Sequence, residues 1–366
     1  MNDIDLSLIE TFPKEDSPQM GWVCTYTPEE IILAAGFQPR RVLGDGQPVQ
    51  NADAYLNNNL CPFVRGIFDQ ALQGTFDHLT GMVFVNSCDA MRRLHDVWRY
   101  YAPTPYVYIL DLPRLVTPSS VEYYAAQLRR FIVSLEEKFD LVIHDQSLRQ
   151  GITVMNETRH LFTQLYQLRR GQNSTLPGSQ ALTLSLLSVR SPKDRFNHWL
   201  REQLPQMKER TIQSNGLPRL LLSGSIIDQV PIVELVERCG AVVVAEEMCT
   251  GNRYFEGLVP EEGDPLIAIA RRYLERAPCS RMKDVDRRVT YLLHLVEEYN
   301  VDGVIYYTIK FCDQYQYDLP LVREALRREE IPMLYLEGDY TVGSFGQLKT
   351  RVQAFVEVVG GRLASP

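Results

Sequence analysis

The chain has 366 residues, 45% hydrophobic and 23% charged, which is ordinary globular usage and enough for two or three domains with proper cores that need no disulfides to fold. With 38 Lys and Arg against 46 Asp and Glu the net charge is -8, and the basic pairs Arg92-Arg93, Arg169-Arg170 and Arg271-Arg272 stand isolated, so a nucleic-acid surface, which needs clustered positive charge, is not expected. No apolar run approaches the eighteen or so residues a bilayer needs. The first twenty residues, with Asp3, Asp5, Glu10, Glu15 and Asp16, have neither a basic nor an apolar leader region, and the expected location is the cytoplasm.

In chain order the pattern begins with Gly21-Trp22-Val23-Cys24-Thr25-Tyr26, followed by Thr27-Pro28-Glu29-Glu30, where Thr27 reads as an N-cap, Pro28 as the first helical residue and Glu30 as the close of a capping box. That helix runs to Ala35-Gly36. A strand is predicted at Arg41-Val42-Leu43, a helix opened by Cys61-Pro62, a strand at Met82 to Val85, and a helix from Ala90 to Tyr101 just after Cys88. Tyr106 to Leu110 is a further strand, and Ser120 to Lys138 has the apolar spacing of a long amphipathic helix. Residues 156–212 read as helical on both sides of a polar loop, 171–179.

The alternation restarts at Arg219 to Ser225. A helix from Pro231 to Arg238 ends at Cys239-Gly240, the glycine supplying a left-handed cap, and the strand Ala241 to Ala245 runs into a loop holding Cys249. Asp264-Pro265 opens a helix ending near Cys279. A further helix leads to the strand 302–307, which delivers Cys312; Ile331 to Leu336 is the last strand and Gly346 to Val359 the last helix. This βαβ alternation predicts an α/β fold with two Rossmann-like parallel-sheet domains, 1–155 and 216–366, joined by a helical connecting region at 156–215.

Ligands of open parallel sheets collect at the carboxyl ends of the strands. Cys24, Cys88, Cys249 and Cys312 fall at or just after such ends and Cys61 opens a helix, so these five are expected on the ligand-bearing rims; Cys239 ends a helix at the opposite rim, and position alone gives Cys279 no claim. Helix starts carry unpaired N-H groups that favour thiolates. Seven cysteines in a cytoplasmic chain point to metal binding, catalysis or burial rather than disulfides. Structural zinc fits poorly without close pairs such as C-x2-C, the ferredoxin run C-x2-C-x2-C is missing, and a cysteine nucleophile with one of His78, His95, His144, His160, His198 or His294 as base has no matching signature. Neither G-x-G-x-x-G nor a Walker A loop is present, so nucleotide binding by this chain is not expected.

At Cys24-Thr25-Tyr26-Thr27-Pro28-Glu29-Glu30, Cys61-Pro62-Phe63-Val64-Arg65, Asn86-Ser87-Cys88-Asp89, Cys249-Thr250-Gly251-Asn252-Arg253, Asp302 to Ile305, Phe311-Cys312-Asp313 and Gln347 to Phe355, the sequence resembles the 2-hydroxyacyl-CoA dehydratase D-component family, which includes benzoyl-CoA reductase subunits and double-cubane cluster proteins. The resemblance implies an iron-sulfur cluster between the α/β domains, with Cys61, Cys88 and Cys312 as recurrent ligands and Cys24 on a family motif. It further implies that Cys249 and Cys279 are the additional ligands of the double-cubane branch, in which six thiolates hold an 8Fe-9S cluster, leaving Cys239 a bystander. Arg65 and Arg253, close after Cys61 and Cys249, are expected to offset the cluster's charge or hold an anionic substrate.

The activity so implied is that of an iron-sulfur reductase of small molecules, fed with low-potential electrons by a separate ATP-hydrolysing iron-sulfur activator and working as a homodimer. The alternative is one subunit of a 2-hydroxyacyl-CoA dehydratase or of an acyl-CoA (benzoyl-CoA type) reductase, with a single 4Fe-4S cluster and a homologous partner subunit. A third reading is a non-enzymatic, cluster-carrying electron-transfer or scaffold protein.

Overall fold

The structure is a computed structural model and describes residues 17–171, 174–210, 216–341 and 345–364. Its strands form two four-stranded parallel sheets. The first consists of β1 (Gln19–Trp22), β2 (Gln38–Arg41), β3 (Gly81–Val85) and β4 (Val107–Leu110) in the order β2-β1-β3-β4. The second consists of β5 (Arg219–Gly224), β6 (Val242–Glu247), β7 (Gly303–Ile309) and β8 (Met333–Gly338) in the order β6-β5-β7-β8. The two orders are the same, and all pairings are parallel. Parallel strands are covered on both faces, so their sequences are continuously apolar rather than alternating; Met82-Val83-Phe84-Val85 and Val243-Val244-Ala245 are accordingly sealed from solvent.

Around the first sheet lie α1 (Glu29–Ala34), α2 (Pro62–Leu72), α3 (Asp89–Tyr101) and α4 (Pro118–Phe139). Local chemistry sets where the longest of these begins: Thr117 Oγ1 accepts from Ser120 N at 3.1 Å, with Pro118 in the first turn where its missing N-H costs nothing. The connecting helices are α5 (Asp145–Gln167), α6 (Gly178–Ser188) and α7 (Lys193–Lys208). The second half adds α8 (Val230–Arg238), α9 (Asn252–Phe255), α10 (Pro265–Glu275), α11 (Val285–Glu298), α12 (Asp313–Arg328) and α13 (Phe345–Ala364). The start of α10 is fixed by Asp264, whose carboxylate accepts from Leu266 N at 2.8 Å and Ile267 N at 3.1 Å.

Two local readings of the sequence are corrected. The strand expected at 41–43 is β2 at 38–41, an edge strand containing Pro39, a residue that argues against strand from sequence alone but is tolerated at an edge. The capping box at Thr27 does not form: α1 starts at Glu29 after Pro28, the Thr27 hydroxyl has no partner, and Glu29 and Glu30 point into buried ion pairs instead. Residues 172–173 of the expected polar loop, 211–212 at the end of the expected helical stretch and the segment 1–16 lie outside the described residues.

The helix α5 starts at Asp145, ahead of the expected 156, and ties both halves together. On one side Arg159 pairs with Glu30, which also accepts from Tyr273 at 2.9 Å. Just beyond its other end Arg169 pairs with Glu246 of β6, and Tyr166 donates to the same carboxylate at 2.7 Å. Beside these, Lys193 sits 3.0 Å from Glu29. Charges this deeply buried are tolerable only when paired and hydrogen-bonded, so each acts as a geometric pin. Gly151 lets α5 come close: a Cβ there would stand 2.5 Å from the Glu30 carbonyl oxygen.

Candidate metal centre

The crossover order of each sheet creates a switch point, between β1 and β3 in the first and between β5 and β7 in the second, where consecutive connections leave in opposite directions and open a crevice. Residues following all four of these strands line one cavity of about 100 Å³: Cys24 after β1, Cys88 after β3, Ser225 after β5 and Cys312 after β7. That volume exceeds the small voids of a packed interior. Cys61, Cys249 and Cys279 complete its thiol lining.

Each cysteine has a structural reason to face inward. Cys61, Cys88 and Cys312 are the residues immediately before α2, α3 and α12, so their thiols sit at helix starts. Cys249 follows β6, and Cys279 lies in the segment between α10 and α11. Six of the seven cysteines therefore share the cavity, five of them buried. Cys239 caps the C-terminus of α8, partly exposed, and is not in the lining. Among the described residues no three His, Cys, Asp or Glu side chains lie close enough together to hold a single metal ion; the thiols surround a space rather than meeting at a point.

The electrostatics differ from thiol to thiol. Burial pushes Cys24 up, opposed by Arg281; burial pushes Cys61 up to about 11, helped by Cys88; and burial dominates at Cys312, which is also raised. Cys279 goes the other way. Burial opposes its ionisation, but Arg281 and Arg253, with the Tyr315 hydroxyl at 3.4 Å, hold it well below the ordinary thiol range. Arg281 Nη1 donates to Cys279 Sγ at 3.3 Å.

Of the two arginines singled out from the sequence, Arg65 is not brought to the cavity: its guanidinium is bonded to Asp53, at 2.7 Å through Nε, and to the Asn58 carbonyl. Arg253 is fully buried behind the thiols against Glu247 and the Tyr315 ring, and it depresses Cys279 from there. Three cavity residues escaped the sequence reading. Arg41, at the end of β2, donates to the Cys249 carbonyl at 2.7 Å and to Cys249 Sγ at 3.1 Å, a contact across 208 positions that no local pattern announces. Arg281 and Tyr315 could have been found, since they lie two and three residues beyond Cys279 and Cys312, and in α12 the latter spacing returns to the same face.

The donor set suits an iron-sulfur group. Thiolates are the ligands such clusters use, and two buried donors at the cavity, Arg41 Nε and Arg281 Nε, have no hydrogen-bond acceptor in the structure, although buried polar groups are nearly always satisfied. Thiolate and sulfide sulfurs would provide acceptors. The sequence profile of the 2-hydroxyglutaryl-CoA dehydratase D-component family matches residues 24–359. The chain belongs to this family.

Individual relatives place the D-component match in context. The protein YjiM of Escherichia coli (strain K12) is 29% identical over 93% of this chain and 91% of its own length. One component of the benzoyl-CoA reductase of Thauera aromatica is 25% identical over 98% of this chain and 95% of its own length, and the beta subunit of (R)-phenyllactyl-CoA dehydratase from Clostridium sporogenes is 24% identical over 93% and 91%. A shorter stretch, 33% of this chain, also matches a second, differently named component of the T. aromatica reductase. The D-component family thus contains subunits of dehydratases and of reductases. Among the described residues no helix is long and apolar enough to cross a membrane.

Proposed function

We propose that the chain is an iron-sulfur oxidoreductase that holds a double-cubane 8Fe-9S cluster, takes low-potential electrons from an ATP-hydrolysing activator protein, and reduces a small substrate. One observation carries this reading: six cysteines drawn from both halves of the chain line a single cavity. A single cubane has four irons and uses at most four cysteines, so six thiols in one space call for a larger cluster. Cys61, Cys88 and Cys312 would serve one cubane, and Cys24, Cys249 and Cys279 the other. When bound, such a group supplies single electrons at potentials that reach about -700 mV.

The residues around the thiols have definable tasks. Leu60, Phe63, Ile226 and Ile309 give the cavity apolar walls that exclude water from a strongly reducing site. Arg41 holds the segment carrying Cys249 through its backbone carbonyl while its second nitrogen stabilises charge on the sulfur. The Tyr315 hydroxyl, 3.4 Å from Cys279 Sγ, stabilises charge on that sulfur.

The reading is tested by replacing Cys249 and Cys279 together with serine. A folded double variant should retain about half the iron, roughly one cubane of four atoms. Unchanged iron would exclude the double cubane. A second reading, one subunit of a dehydratase or acyl-CoA reductase with a single 4Fe-4S cluster, is favoured by one finding: the chain matches two differently named components of one benzoyl-CoA reductase, as expected if homologous subunits pair in such assemblies.

A further inference from the structure

We propose that Arg281 is the counter-charge that sets the reduction potential of the thiolate-held cluster, a positioning residue acting on the site's charge rather than a ligand or a substrate anchor. The inference rests on the iron-sulfur reading given above. Four buried arginines of this chain pair with carboxylates, Arg159 with Glu30, Arg169 with Glu246, Arg253 with Glu247 and Arg288 with Asp318, and Arg219, Arg272 and Arg276 are bonded to backbone carbonyls. Arg281 differs. Its side chain lines the thiol cavity, donates to Cys279 Sγ at 3.3 Å, leaves Nε buried without an acceptor, and is in ion-pair contact with no carboxylate among the described residues. The thiols that share this cavity, drawn from both halves of the chain, supply its counter-charge.

The backbone fixes this placement. Arg114 Nη1 donates to the Arg281 carbonyl at 3.0 Å and Nη2 to the Asn86 carbonyl at 3.1 Å, so one guanidinium joins the loop of Cys88 to the loop of Cys279. Lys283 N closes the same junction by donating to the Arg114 carbonyl at 2.8 Å. Arg281 cannot act as an acid, because a guanidinium keeps its proton in proteins. Uptake of one electron adds one negative charge to the site with no proton leaving Arg281, and a fixed positive charge beside it favours that reduced form.

The test is anaerobic redox titration of the iron-loaded full-length protein with titanium(III) citrate, without substrate, comparing wild type with Arg281→Met and Arg281→Lys. The expected result is a lower midpoint for the Met variant, with the reduced-to-oxidised ratio at fixed potential down at least tenfold, which for one electron is about 59 mV, while the Lys variant stays near wild type. Wild-type midpoints in both variants, or equal shifts in both, would overturn the proposal. If the Met variant fails to load iron, iron per chain decides: a loaded Lys variant supports the counter-charge, and an unloaded one overturns it. Wild-type protein that binds no iron would overturn the iron-sulfur reading itself, an outcome distinguishable from an insensitive potential.

Discussion

Cysteines do different things in this chain, and their place relative to the helices decides which. Cys61, Cys88 and Cys312 each precede a helix and face the shared cavity, whereas Cys239 follows one and faces away. Serine at any of the first three should therefore lower iron content sharply, measured colorimetrically after anaerobic purification, and serine at Cys239 should leave it unchanged; equal losses in all four would contradict the assignment. Arg65 gives a control, since Arg65→Met removes a surface pair with Asp53 and should leave the midpoint potential where it was.

The ionisation of Glu30 bears directly on folding. Burial would raise its carboxyl, but Arg159 and Arg272 more than offset that and its pKa lies below the ordinary range. A depressed folded pKa stabilises fully above the unfolded value, about 4.3, and that stability is lost as pH falls through the lower folded value. Chemical denaturation against pH should show this acid limb in wild type and a smaller one in Glu30→Gln. Arg159→Met, which strands the carboxylate in the interior, should cost about 3–5 kcal/mol at neutral pH.

At the scale of elements, what the sequence disclosed depended on how local the cause was. The helices after Cys61 and Cys88, the Asp264-Pro265 start and the apolar strand runs follow from neighbouring residues and appear where expected. The edge strand β2 was misplaced because Pro39 carries the wrong local signal, and the capping role of Thr27 failed because Glu30 is taken by Arg159, 129 positions away. The same limit hid Arg41, whose partner is more remote still, while the rim carrying Cys24, Cys88, Cys249 and Cys312 was legible because strand ends are. Cys279 is different: no strand delivers it, and only the resemblance to the family pointed to it.

The switch point itself depends on a glycine. Gly224 ends β5 with φ +123°, and a Cβ there would stand 2.0 Å from the Tyr307 carbonyl oxygen in β7. Gly224→Ala should lose at least roughly 1–3 kcal/mol from conformation alone, read as a lower urea midpoint. It should also reduce iron loading, because the β5 and β7 ends frame the cavity; a variant with full stability and full iron would show that this close approach is not needed.

For the whole molecule, the helix α5 and its flanking arginine hold two similar sheets in fixed relation, so that the thiols of one half are presented to those of the other. The chain has no phosphate loop of its own with which to couple ATP hydrolysis to electron transfer. On the function proposed, turnover of a small unsaturated substrate should require activator, ATP and strong reductant together. Reductant alone giving the same rate would refute the activator requirement, and turnover confined to a 2-hydroxyacyl-CoA would favour the dehydratase reading. The number of cubanes is read from the iron and acid-labile sulfide content per chain after anaerobic purification. A double cubane gives about eight irons, two cubanes' worth, in one chain; about four would mean a single cubane.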